Sequence, residues 1–466
     1  MRVRCAFGAR PAGRSAGLRA ASGPIDGKIG YGHAVRIRSF VGLLLCAALG
    51  STGCAASPAL RAAEAHDLKT LAREIDGARK QGPIDHGEAR AIAKAVAVHE
   101  IENAKGDEGA KTLETWSRCA RVLDGTFEAR SRGADDIAAA AALTRLEEGR
   151  LSPDDARDLA LRSGVTPAWR TVETRALIRA GDGQSRRARL LDGDQHIRAA
   201  ALRASADAGD PADTEALIDV ARLDPYPLAR TLAIRALAKT AAGEHAVLAL
   251  RDLWNQADED LRQSIADAWA TERTIDAGGR RELYWAAEHA RGAAAIAAAG
   301  ALSRWKGEGW DQAIGVLTRA IQDGPTKDRV FAIGVAPAHE PPIEEALRAA
   351  IQDKDDAVAV AASWRLLSGV GRDVPEAKDR KAIVTRLLEF AKTPSTRGFQ
   401  AQKALARAGE RGILPFLDKQ VALTDTRARE TTGVAFTDLQ EWGKAVTFVA
   451  DADQGVRAAV ACALLE

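Results

Sequence analysis

Aromatic residues make up only 5% of the 466-residue chain, and Met1 is its one methionine. With so few large rings, any core must be filled by alanine and aliphatic side chains in closely spaced elements. No run rich in Val, Ile and Thr alternates with polar residues, which excludes a sheet, and helix formers dominate throughout, so the fold class is all-α. The apolar run from Phe40 to Leu49 is ten residues, too few to cross a hydrocarbon core of roughly 30 Å as a helix. Neither sign of charge prevails: 66 Lys and Arg face 64 Asp and Glu. Residues 1–54 carry eight of the basic residues and one acid, so the remainder is net acidic by five. That balance argues against general nucleic-acid affinity, which requires a basic field.

What is abundant is a repeat. Arg198, Ala201, Ala204 and Ser205 recur as Arg230, Ala233, Ala236 and Leu237, and again as Arg262, Ile265, Ala268 and Trp269, each time 32 residues on. Offsets 0, 3, 6 and 7 fall on one stripe of a helix, and small residues on that stripe let a neighbouring helix approach closely. Weaker copies start at Arg170, Ala294, Arg329, Ala359, Gly398 and Arg457, with a poorer one near Arg429. Eleven residues after the anchors at 170, 198 and 398 stand Gly181, Gly209 and Gly409, each followed by an acid, as expected for a helix stop followed by a cap. A fixed period of about thirty residues is the signature of a solenoid.

The openings Asp194-Gln195-His196-Ile197-Arg198 and Asp258-Glu259-Asp260-Leu261-Arg262 resemble HEAT repeats, particularly the short bacterial form related to bilin-lyase subunits. The Trp, Gly and Tyr pattern of tetratricopeptide repeats is absent. The resemblance implies a right-handed α-solenoid of HEAT-like helical hairpins over residues 135–466. Residues 67–134, with three amphipathic segments outside the repeat frame, are expected to form an N-terminal helical cap. Gly455 to Leu465 is expected to be the first helix of a unit whose second half is missing, leaving that end ragged or covered by a partner.

The amino end reads as an address. Arg36 and Arg38, the apolar run and the small residues leading to Cys54 form a secretory signal over residues 35–54. Thr52, Gly53 and Cys54 resemble a bacterial lipobox, with Ser51 where an aliphatic residue is usual, so Cys54 is the expected lipid attachment site. Two or more alkyl chains on that residue would hold a membrane firmly. Ala55 in place of Asp favours the outer membrane over the inner. Residues 1–34, with five Arg and a single acid, look like a non-native or disordered extension, and Val35 is the expected start. Residues 55–66, with Pro58 and no apolar stripe, read as a tether.

Ser152, Thr166, Asp210, Asp224 and Thr393 each precede a Pro and are expected to cap helices. Cys5 and Cys46 fall in segments expected to be removed, which leaves Cys119 and Cys462. In an open stack with layers about 8 to 10 Å apart, those two lie far beyond the roughly 6 Å that a disulfide spans, so both are expected buried and unpaired.

Chemistry-bearing motifs are few. His99-Glu100 and His339-Glu340 lack the second His of a zinc-protease helix, and no phosphate loop, paired-Cys zinc spacing or nucleophile elbow occurs. Asp135-Asp136, Asp154-Asp155 and Asp355-Asp356 sit at helix starts, where the dipole favours acids. No metal and no cofactor is expected. Six of nine Trp lie between 254 and 364. Trp269 holds a core offset, whereas Trp285, Trp305 and Trp310 do not, and Trp is enriched in binding hot spots. Trp285, Glu288 and His289, with Trp305 and Trp310, are the candidate contact residues, expected on a concave patch. The resulting expectation is a non-catalytic HEAT-repeat scaffold or adaptor, lipid-anchored on the periplasmic side of the bacterial envelope and holding a protein partner along its concave face. The alternatives are a HEAT-like enzyme acting on bilins or alkylated DNA bases, and a soluble secreted repeat protein.

Overall fold

The structure is a computed structural model that describes residues 56–161, 166–181, 183–240, 243–368 and 377–466. The readings placed on residues 1–34 and 35–54, Cys54 among them, lie outside the described residues. Among the described residues there is no strand. Four helices come first, α1 (Pro58–Glu64), α2 (Leu68–Gln81), α3 (His86–Glu102) and α4 (Gly106–Ser117). Hairpins follow, α5 (Asp124–Ser131) with α6 (Asp136–Glu147), α7 (Pro153–Ala160) with α8 (Pro167–Ala180), α9 (Gly183–Leu190) with α10 (Gln195–Ala208), and α11 (Thr214–Leu223) with α12 (Pro227–Leu237). The next are α13 (Glu244–Trp254) with α14 (Glu259–Trp269), α15 (Arg280–His289) with α16 (Gly292–Leu302), α17 (Trp310–Asp323) with α18 (Thr326–Val335), and α19 (Pro341–Ala350) with α20 (Asp356–Leu367). The last are α21 (Ala377–Ala391) with α22 (Thr396–Arg407), α23 (Leu414–Gln420) with α24 (Thr426–Asp438), and the single turn α25 (Trp442–Ala445) with α26 (Gln454–Leu465). This is an all-α solenoid of helical hairpins.

The repeat frame maps onto one helix of each pair. Arg170, Arg198, Arg230, Arg262, Arg329, Ala359, Arg429 and Arg457 are each the fourth residue of an even-numbered helix from α8 to α26; Ala294 and Gly398 are the third residues of α16 and α22. Even-numbered helices from α4 to α26 touch in succession, whereas successive odd-numbered ones from α5 onward, α17 with α19 excepted, touch less or not at all, so the even row is the inner, concave side of the curve. Small residues make this possible. In α16 every residue from Ala294 to Leu302 is buried, and Lys327 at the start of α18 reaches past it to Glu259 at the start of α14, 3.1 Å away. Trp269 fills the core beside Trp254, ring centroids 5.2 Å apart.

The anchor Arg has a specific task. Arg198 donates to the carbonyls of Asp192 and Gly193, just before its own helix, at 2.8 and 3.2 Å, and forks onto the Asp224 carboxylate of the next layer at 2.6 and 2.9 Å. Arg429 does the same with Leu423, Thr424 and Asp451. Arg329 reaches back to Ile321 and forward to Asp353. Each guanidinium thus satisfies orphan carbonyls near a helix end and ties one layer to the next. Asp224 is consequently occupied by Arg198 and by the Tyr226 amide, and α12 begins two residues after Pro225. Ser395, not Thr393, caps α22. Ser152, Thr166 and Asp210 cap as expected, and Gly209 ends α10 in the left-handed conformation at φ 59°, where its freedom from a Cβ is needed.

The ends of the body meet. Because each anchor helix is the second of its hairpin, α25 and α26 complete the last unit, and it is neither halved nor ragged. Helix α26 packs on α3 and α4, and the turn at Val446–Ala450 packs on α2 and α3. Trp442 lies over His86, centroids 4.4 Å apart. Residues 67–134 therefore cover the far end of the solenoid as well as the near one, and the body from Ala56 to Glu466 closes into a ring. Residues 58–64, read as a tether, are instead α1, capped by Ser57 and burying Ala59, Ala62 and Ala63. The spacing hid this: the stripe is made of alanine alone, too weak a signal against Pro58.

Closure also overturns the reading of the cysteines. Cys119 and Cys462, 343 residues apart, are joined in a disulfide with their Cα atoms 5.5 Å apart. The layers between them separate the pair along the stack, but the stack returns to its start.

The last two helices of the inner row also depend on close approach. A Cβ placed on Gly433 of α24 would overlap Cγ2 of Val460 in α26 and lie 3.0 Å from the Phe448 ring. Gly433→Ala is expected to destabilise by about 1 to 3 kcal/mol, and Val460→Ala in the same chain to recover part of that loss. Urea unfolding of the single and double variants measures both; no recovery in the double variant would show that Val460 is not the clash.

Candidate functional site: the concave face

Each inner helix has inner neighbours on two sides and its hairpin partner behind, so its free face points into the enclosed space. On a 3.6-residue helix the fifth position after the anchor lies opposite the buried stripe. That position is held by Arg175, Arg203, Arg235, Asp267, Gly334, Trp364, Lys403 and Val434 in α8, α10, α12, α14, α18, α20, α22 and α24. Ion pairs link neighbouring inner helices across this face: Glu147 with Arg175, Arg179 with Asp207, and Asp267 with Arg304 at 2.7 Å. The first two border a cleft of about 300 Å³ over α6, α8 and α10.

From α18 onward the face turns apolar. One lobe of about 440 Å³ is floored by Val330, Ile333, Val360 and Trp364. A second, of about 410 Å³, is lined by Trp364, Phe399, Val434 and the stems of Lys403 and Arg427. Trp364 and Gln400 belong to both lobes, which makes them one groove across four inner helices.

The residues singled out from the sequence are elsewhere. Trp285, Glu288 and His289 are on α15, an outer helix, and so on the convex side; the concave placement expected for them is corrected. Trp285 is 43% exposed and stacks on His289, whose Nδ1 lies 2.9 Å from the Trp285 carbonyl oxygen. Glu288 accepts from Gln312 at 3.4 Å. Trp305 and Trp310 are half-buried and donate to the carbonyls of Ala270 and Ser303 at 2.8 and 3.2 Å, which ties down the turn between α16 and α17. Lys306 sits over the Trp310 ring at 4.1 Å. The sequence signal that could have pointed to Trp364 was its place five residues after Ala359, on the face opposite the small-residue stripe.

His99-Glu100 lies on α3, and its acid is a satisfied helical group. Glu100, 7% exposed, is the hub of the ring seam. Its carboxylate accepts from Arg457 at 2.8 Å, Gln454 at 2.7 Å and Trp116 at 2.9 Å, and lies 3.1 Å from Nε2 of His66. Burial pushes its pKa up, but the Gln454 hydrogen bond, the Arg457 charge and the Trp116 and His66 contacts outweigh it and hold the carboxyl below the ordinary glutamate range. The acid pairs are caps: Asp135, Asp155 and Asp355 accept from the amides of Ala138, Ser152 and Ala357. Among the described residues no group of three or more His, Cys, Asp and Glu is placed to hold a metal ion, and no helix is long and apolar enough to cross a membrane.

No protein-family model matches the sequence, and comparison with curated proteins gives no match. Solved structures similar to it include the Escherichia coli protein YibA, at 16% identity and a TM-score of 0.35 over 60% of this chain and 98% of that one. The karyopherin Kap121p bound to the SUMO protease Ulp1p is similar at 14% identity and a TM-score of 0.37, over 82% of this chain and 48% of the karyopherin. An engineered protein matches at 18% identity and a TM-score of 0.27, over 75% and 95% of the two chains.

Proposed function

We propose that this chain is a non-catalytic interaction scaffold, held to the bacterial envelope through lipid on Cys54, that grips a protein partner on its concave face. The observation that carries the reading is the free face of the inner row, where Arg203, Arg235, Trp364 and Lys403 stand at one helical register. Such a surface offers area and charge to a partner, as stacked repeats do. A photo-crosslinking residue at Arg235 is expected to capture a partner in native membranes, while the same residue at exposed Asp219 of outer helix α11 captures none. Adducts from Asp219 alone would refute the concave placement.

Export is supported by the secretory signal at residues 35–54 and by the disulfide, since such bonds persist in oxidising compartments and are rare in a reducing cytosol. The reading extends to the periplasmic side of the outer membrane through the lipobox at Cys54. Palmitate labelling in the native host is expected for the wild type and lost in Cys54→Ala; an unlabelled wild type removes the anchor.

A further inference from the structure

The groove over α18, α20, α22 and α24 has a composition that selects its occupant. Its floor is apolar: Val330, Ile333, Val360, Trp364, Phe399 and Val434. Three cations border it, Arg365, Lys403 and Arg427; among the described residues none makes an ion pair within 4.0 Å, and Lys403 acts only at longer range on the half-buried Asp438. Arg365 donates to the Ala336 carbonyl, and its Nε finds no acceptor there. Arg427 lies over the Phe399 ring at 5.8 Å. The one acid lining the groove, Glu430, is engaged by Arg118 at 3.4 Å. The surface therefore combines apolar area with a positive rim that no close ion pair among the described residues ties up, and an apolar segment without acids would leave that rim unanswered.

Resting on the scaffold reading above, we propose that this groove binds an amphipathic acidic segment of a protein partner, with its apolar side chains on the Trp364 floor and its carboxylates on Lys403, Arg427 and Arg365. The length follows from the geometry. Four inner helices spaced about 8 to 10 Å apart span about 24 to 30 Å, the length of a helix of about 16 to 20 residues. Helix-in-groove recognition of this kind reads apolar anchors at i, i+3, i+4 and i+7, which leaves the opposite flanks for acids.

The probe is a fluorescein-labelled peptide of about 18 residues with Leu and Phe on one helical face and Glu on the flanks, compared with its Lys-for-Glu counterpart by anisotropy against the full chain. The acidic peptide is expected to bind and the basic one not. The double variant Lys403→Glu, Arg427→Glu, at two exposed positions, is expected to weaken acidic-peptide binding at least tenfold and to gain affinity for the basic one. Equal binding of the two peptides, or an unchanged affinity in the double variant, overturns the proposal. Self-association lost in that variant would assign the groove to a second copy and overturn it too. If neither peptide binds while Arg235 still crosslinks a partner, the groove assignment falls and the scaffold reading stands.

Discussion

Glu100→Ala is expected to lower the stability of the body by about 3 to 5 kcal/mol, the cost of leaving a buried charge without its partner. Arg457 is 8% exposed and would keep only the carbonyls of Asp451 and Ala452. The same change strips acceptors from Gln454 and from the buried Trp116 indole. Glu100→Gln keeps the shape and one acceptor oxygen, so it should cost less. The pH dependence has a definite sign. The folded carboxyl lies below its ordinary value of 4.5, so its contribution is complete above that value and is lost as pH falls through the depressed folded one. The gap between wild type and Glu100→Gln in urea midpoint should be full at neutral pH and shrink in acid below the ordinary glutamate range. A gap that grows in acid would mean that Glu100 is protonated in the folded chain.

Glu100 also shows what the sequence made legible and what it did not. Period, class and anchor positions could be read because a buried stripe is set locally, by residues within one helix of each other. Capping by Ser152, Thr166 and Asp210 could be read for the same reason, and each accepts from an amide of its first turn. Closure depends on the small rotation added at every layer, summed over all of them, and no single residue encodes that sum. Yet Arg457 carried a hint. Arg198, Arg329 and Arg429 find their acids 26, 24 and 22 residues downstream, and as an anchor of the same frame Arg457 calls for an acid in whichever layer packs on α26. Its buried guanidinium needed a carboxylate from far away in the chain, and Glu100 supplies it from the first layers. A ring placed off the buried stripe is not thereby free. Trp305 and Trp310 are held by carbonyls in a turn, whereas Trp364 on the inner row faces the groove.

The second large effect belongs to the covalent half of the same seam. Cys119 in the turn after α4 and Cys462 in α26 enclose a loop of 343 residues, and a cross-link over so long a loop removes much of the freedom of the unfolded chain. Cys462→Ser is expected to cost roughly 2 to 5 kcal/mol. Cys119→Ser should cost about the same, and the double variant no more than either, because all three break one bond. Reduction of the wild type by dithiothreitol should reproduce the loss while leaving Cys462→Ser unmoved. Coupling to Glu100 is the sharper test. Both bonds fasten α26 to the first layers, so Glu100→Ala with Cys462→Ser should depart from additivity by more than the roughly 0.3 to 0.5 kcal/mol seen for independent sites. Strict additivity would mean that the two clasps act on separate parts of the body and that α26 is not a single hinged closure.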